Sequence, residues 1–148
     1  MMAAALAQAR DAAARGEVPV GAVLQGPDGT VLAQAGNGVE AGQDASAHAE
    51  MLALRAGARR LGTPRLLGCT LWVTLEPCAM CAGALVQFRV GRVVFGAYDP
   101  KGGGVEHGAR VFAAPGCLHV PEVVGGVRET ECGAVLRAFF AGLRPPRA

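Results

Sequence analysis

At 148 residues and 15.0 kDa the chain has the length of one domain, with enough material to bury a core. Hydrophobic residues make up 51% of it, yet no apolar run reaches the roughly 18 residues of a membrane span, so a helical membrane protein is excluded. A net charge of +2 and a pI near 8.4 are too mild to demand a polyanionic partner.

The first 15 residues, MMAAALAQARDAAAR, are good helix formers, and the spacing predicts a helix over 2–14 that ends at Gly16. Gln8, Arg10 and Asp11 interrupt the apolar centre an export signal would need, so a cytosolic address is expected. EVPVGAVLQ (17–25) and TVLAQA (30–35) flank the turn signal Gly26-Pro27-Asp28-Gly29 and predict a hairpin. GNGVEAGQD (36–44) reads as a loop. It leads into SAHAEMLALRAGARR, a helix with Met51, Leu52 and Leu54 on its apolar side and Asp44 or Ser46 as its cap. Residues 51–68 carry Arg55, Arg59, Arg60 and Arg65 with no acid among them, which fits a solvated face and a nucleic-acid surface equally well.

CTLWVTL (69–75) is a buried strand, and Pro77 suits the first position of a helix running to about Phe88. GRVVFGA (91–97) is the next strand, DPKGGG (99–104) a loop, HVPEVV (119–124) a weak last strand. Residues 127–142 close the chain as a helix, with Phe139 and Phe140 divided between core and surface. Helices and strands in alternation imply one sheet covered on both faces, a single α/β domain over 1–148.

Five cysteines, an odd number without an export signal, argue against a disulfide framework and leave free thiols or metal ligands. In a helix starting at Pro77, Cys78 and Cys81 stand three positions apart and share one face at the positive end of the helix dipole. A redox pair and half of a zinc site both fit that spacing. The discriminator lies thirty residues upstream, where His48 and Glu50 open another helix and one strand separates the two helix starts. One imidazole and two thiolates make three zinc ligands and leave a fourth position open to water, the mark of a catalytic site. Glu50 is then spare and is a candidate proton shuttle. Residues i and i+2 of a helix point roughly 200° apart, so His48 and Glu50 meet at one point only if the helix arrives end on.

HxE together with PCxxC is the signature of the zinc nucleobase deaminases. The stretches EVPVGAVL (17–24), GNG (36–38), AHAEMLALR (47–55), LWVTLEPCAMCAGALVQFRVGRVVFGAYDPKGG (71–103) and CGAVLRAFF (132–140) resemble the bacterial tRNA-specific adenosine deaminases. The resemblance implies a cytidine deaminase-like fold, a three-layer α/β/α sandwich around a mixed sheet of about five strands. It also implies one Zn2+ per chain, conversion of the wobble adenosine of an arginine tRNA to inosine, and a cytoplasmic homodimer that grips the anticodon stem-loop.

Carried over residue by residue, His48, Cys78 and Cys81 match the zinc ligands and Glu50 the shuttle. Asn37 matches the residue that bonds the flipped nucleoside, and Asp99 and Lys101 fall in a loop that contacts the RNA backbone. The chain departs from the family at Gly36, at Leu118-His119-Val120 and in its short end, AGLRPPRA. Two alternatives stand beside this reading. A small-base deaminase acting on guanine or cytosine shares the motifs, but the long central block speaks against it. A zinc-stabilised binding module without catalysis would have no use for Glu50.

Overall fold

The computed structural model describes residues 1–143; the end of the AGLRPPRA run, residues 144–148, lies outside the described residues. Helix α1 (Met2–Ala14) buries Met2, Ala5, Leu6, Ala9 and Ala12, a stripe at helical spacing whose small side chains let the helix lie close to the sheet. Strand β1 (Gly21–Gln25) begins under it, and a Cβ on Gly21 would overlap the Ala5 carbonyl. Only glycine allows that approach. β1 starts four residues later than its apolar run predicts. Pro19 carries no N–H for a ladder, and Glu17 turns away to another task.

β2 (Val31–Gly36) completes the expected hairpin, with Ala22 opposite Ala35. Where a loop is predicted, residues Val39–Gly42 form a short helix, α2. The Glu17 carboxylate accepts the Glu40 and Ala41 N–H groups at 2.8 and 3.0 Å. A cap more than twenty residues away is not readable from local propensity. Helix α3 (Ala49–Leu61) also starts late, with His48 at its N-cap and no side-chain cap. The expected cap, Asp44, instead accepts the Ser46 N–H and hydroxyl at 2.9 and 2.7 Å within its own turn.

β3 (Thr70–Leu75) and β4 (Arg92–Ala97) are as expected, and helix α4 (Ala79–Gln87) lies between them. Pro77 is not its first residue; extended Cys78 holds the N-cap. β5 shrinks to Glu122–Val124, after Pro121, and α5 (Glu129–Leu143) follows. A 3-10 turn at Val111–Ala113 is not signalled in the sequence.

The strand order is β2-β1-β3-β4-β5, antiparallel on the β2-β1-β3 side and parallel over β3-β4-β5. Alternate side chains of β1 and β4 serve opposite cores. Ala22, Leu24, Val93 and Phe95 pack with Ala53, Leu54 and Leu85 of α3 and α4, while Val23 and Val94 pack with Leu6 and Cys132 of α1 and α5. This is the expected three-layer α/β/α sandwich on a five-stranded mixed sheet. Among the described residues no helix is long and apolar enough to cross a membrane.

Candidate active site

β3 and β4 run parallel, so their carboxyl ends lie at the same edge of the sheet. Helix α3 precedes β3 and α4 follows it, which brings both helix N-termini to that edge. Ligand sites of open α/β sheets form there. His48 and Cys78 are both N-cap residues with extended backbones (ψ 152° and 175°), and Cys81 is three residues into α4. His48 Nδ1 stands 3.6 Å from Cys78 Sγ and 3.4 Å from Cys81 Sγ, and the three ligand atoms lie within 4.8 Å of one another. Tetrahedral zinc with bonds of about 2.0 Å to nitrogen and 2.3 Å to sulfur separates such atoms by about 3.5 Å. The three side chains are placed to bind one zinc ion.

The angular difficulty between His48 and Glu50 disappears because His48 is outside the helical spiral. Its extended backbone aims the ring across the helix end, while Glu50, in the first turn of α3, is buried at 4% exposure on the same cavity. Burial pushes the Glu50 carboxyl up to about 7, where a group accepts and returns a proton near neutral pH. The Cys81 thiol donates to the Cys78 sulfur, which holds Cys78 down at about 4 and pushes Cys81 up. The bond to Cys78 likewise raises His48. Two sulfurs and an imidazole sharing protons at this range are a cluster in which a divalent cation can replace them.

The cavity measures about 480 Å3, within the range of sites for nucleoside-sized ligands. Asn37, His48, Glu50, Cys78 and Asp99 supply its polar groups, and Val20, Leu75 and Phe139 supply apolar wall. Asn37 is 7% exposed, its backbone N–H is bound to the Val20 carbonyl, and among the described residues its amide side chain has no hydrogen-bond partner. The free amide faces the cavity with a donor and an acceptor to offer. Lys101 does not reach this cavity. It lines an adjoining hollow of about 580 Å3 together with Asp99, Gly102 and Phe140. Phe139 is half-buried and Phe140 is exposed; they form an edge-to-face pair, centroids 5.4 Å apart, and both line the cavity.

Two buried acids escape motif reading. Glu17 caps α2 and so holds the Asn37 wall, and the N–H groups of Ala41 and Glu40 keep its carboxyl below the usual range. Glu76 holds the opposite wall. Burial alone would raise its carboxyl, but bonds from the Asp99 N–H, the His107 ring and neighbouring N–H groups keep it low. Their common signal is an acid set flush against an apolar run, EVPVGAVL in one case and LWVTLE in the other.

An α/β/α sandwich with an imidazole and two sulfurs placed to hold one zinc, and a carboxyl beside them at its strand ends, is the arrangement of a zinc-dependent hydrolase. The profile of the cytidine and deoxycytidylate deaminase zinc-binding region matches residues 1–97. A tRNA-specific adenosine deaminase of Bacillus subtilis is 51% identical over 140 residues, 95% of this chain and 86% of that protein. One of Agrobacterium fabrum is 49% identical over 136 residues, 92% and 89% of the two chains. A solved structure from work on A-to-I editing by tRNA:A34 deaminases at the wobble position superimposes with a TM-score of 0.89. It shares 48% identity, and the match covers 91% of this chain and 97% of that one. The chain belongs to the cytidine and deoxycytidylate deaminase family, in its tRNA-specific adenosine deaminase branch.

Proposed function

We infer that the protein is a zinc-dependent hydrolase that converts the wobble adenosine of a tRNA anticodon, an arginine tRNA by family resemblance, to inosine and ammonia. The observation that carries the chemistry is the buried, unligated Glu50 beside a three-ligand metal group on a cavity of nucleoside size. Similarity near 50% to tRNA-specific deaminases supports the substrate.

His48 Nδ1 and the sulfurs of Cys78 and Cys81 would hold the metal. Bound zinc supplies a Lewis acid that makes water a nucleophile near neutral pH. Glu50 accepts one proton of the attacking water and delivers it to a ring nitrogen of the base, then takes the remaining hydroxyl proton from the hydrated ring carbon and passes it to the departing amine. Water oxygen becomes the carbonyl of inosine and the amine leaves as ammonia, so no redox cofactor is needed. Asn37 orients the nucleoside through its free amide, and the apolar walls exclude bulk water. Asp99 and Lys101, on the loop beside the cavity, contact the RNA backbone.

Incubation with an arginine anticodon stem-loop carrying a wobble adenosine should yield inosine, with activity falling steeply as salt rises because phosphates are gripped. Free adenosine, guanine and cytosine should be left unchanged. Ammonia from free guanine or cytosine, with the RNA untouched, would move the assignment to a small-base deaminase.

The working form we infer is a cytoplasmic homodimer. Leu118 (84% exposed) and Val120 (59%) are apolar surface groups that a second subunit would cover. Light scattering at micromolar concentration should give the mass of two 15.0 kDa chains. A monomer of full activity contradicts the dimer.

A further inference from the structure

Glu76 has more hydrogen-bond partners than any other buried acid among the described residues, and none of its partners is a metal ligand. Its side chain is 0% exposed. Oε1 accepts the Asp99 N–H at 3.1 Å, and Oε2 accepts the N–H groups of Val105, Glu106 and His107 at 3.2, 2.9 and 3.1 Å. His107 Nδ1 lies 2.8 Å from Oε1. A carboxylate only accepts, so that ring nitrogen carries the hydrogen.

Both ends of the 99–107 segment therefore close on one carboxylate. Between them the turn is held by Asp99, whose Oδ1 accepts the Lys101 and Gly102 N–H groups at 3.2 and 2.9 Å. Gly103 passes so near the Glu76 carboxylate and the Asp99 carbonyl that a Cβ would overlap both. The segment has no regular ladder of its own; its shape is set by the anion beneath it. Asp99 and Gly102 of this segment line the cavity that Glu50 and Asn37 share.

We propose that Glu76 is a positioning residue for the RNA substrate, holding the 99–107 loop in the shape that presents Asp99 and Lys101 to the stem-loop backbone. His107 is its accessory, locking the carboxylate from the outer side. The inference rests on the reading of a tRNA stem-loop as substrate. It predicts loss of affinity with the chemical step kept, because His48, Glu50, Cys78 and Cys81 stand at the starts of α3 and α4, and the loop meets α4 at Gly104, whose N–H on the Pro77 carbonyl at 2.8 Å does not involve Glu76.

The test compares the wild type with Glu76→Gln, His107→Ala and His107→Asn on the arginine anticodon stem-loop, with zinc content measured for each. Glutamine keeps the shape but turns one acceptor into a donor that faces N–H groups. KM should rise about tenfold, as expected for losing a charge-assisted bond, with kcat within about twofold and one zinc per chain. His107→Ala should raise KM by about threefold, and His107→Asn should restore it, since its amide N–H can stand where Nδ1 stood. In a Glu50→Ala background, fluorescence anisotropy with the same stem-loop should report the same loss of affinity.

A folded, zinc-loaded Glu76→Gln with wild-type KM overturns the proposal, as does a variant that loses zinc and kcat together. If Glu76→Gln does not fold, equal KM values for the alanine and asparagine variants of His107 overturn it. A wild type that leaves the stem-loop unedited overturns the substrate reading and this inference with it. An active wild type with indifferent variants overturns the inference alone.

Discussion

Glu50→Ala should keep its zinc and its affinity for the stem-loop while losing turnover by about 100-fold or more, the usual effect of removing a general acid or base. The side chain is buried beside the metal group, and desolvation has pushed its carboxyl up to about 7. A carboxylate in that setting costs stability rather than adding to it. Opposing this, an acid in the first turn of α3 gains roughly 0.3–1 kcal/mol from the helix dipole. The two effects are of opposite sign, so a large change in folding is not expected. A drop in rate with intact melting and zinc content therefore reports proton transfer. Near wild-type turnover would remove Glu50 from the mechanism and bring back a zinc-stabilised binding module.

Cys81→Ser should fall from one zinc per chain towards none after dialysis, and activity should fall with it. Cys81 is fully buried at the start of α4, 3.4 Å from His48 Nδ1. Serine keeps the shape, but its hydroxyl does not ionise as a thiol does, and only two good ligands remain. Changing groups that merely orient metal ligands costs 10–100-fold in affinity, so losing a ligand should cost more than about 100-fold. Melting temperature should drop as well, since a metal that binds only the folded chain stabilises it by mass action. Cys117→Ser is the control. That thiol donates to the His119 carbonyl at 3.2 Å and is no part of the metal group, so zinc should stay at one per chain. Undiminished zinc in Cys81→Ser would overturn the ligand set.

The layers of the fold, its five strands and the grouping of His48, Glu50, Cys78 and Cys81 were legible in the sequence. Apolar runs broken by Gly and Pro mark elements that bury themselves locally. Metal ligands three residues apart report a helix start whatever surrounds them. The failures have one cause in common. Glu17 capping α2 and Glu76 gathering the 99–107 loop are pairings between residues 20 or more positions apart.

The helix starts differ from local propensity for the same reason. Asp44 and Pro77 have the right chemistry for the positions assigned to them. Tertiary packing instead gives the N-caps to His48 and Cys78, whose extended backbones turn their side chains towards each other across two helix ends. Sequence alone thus determined which atoms can hold a metal and which carboxyl stands beside them, because that is a property of residue type and short spacing. Only the tertiary structure decided which buried acids stay out of the chemistry and shape the cavity walls, because backbone N–H groups from distant segments must first be brought to them.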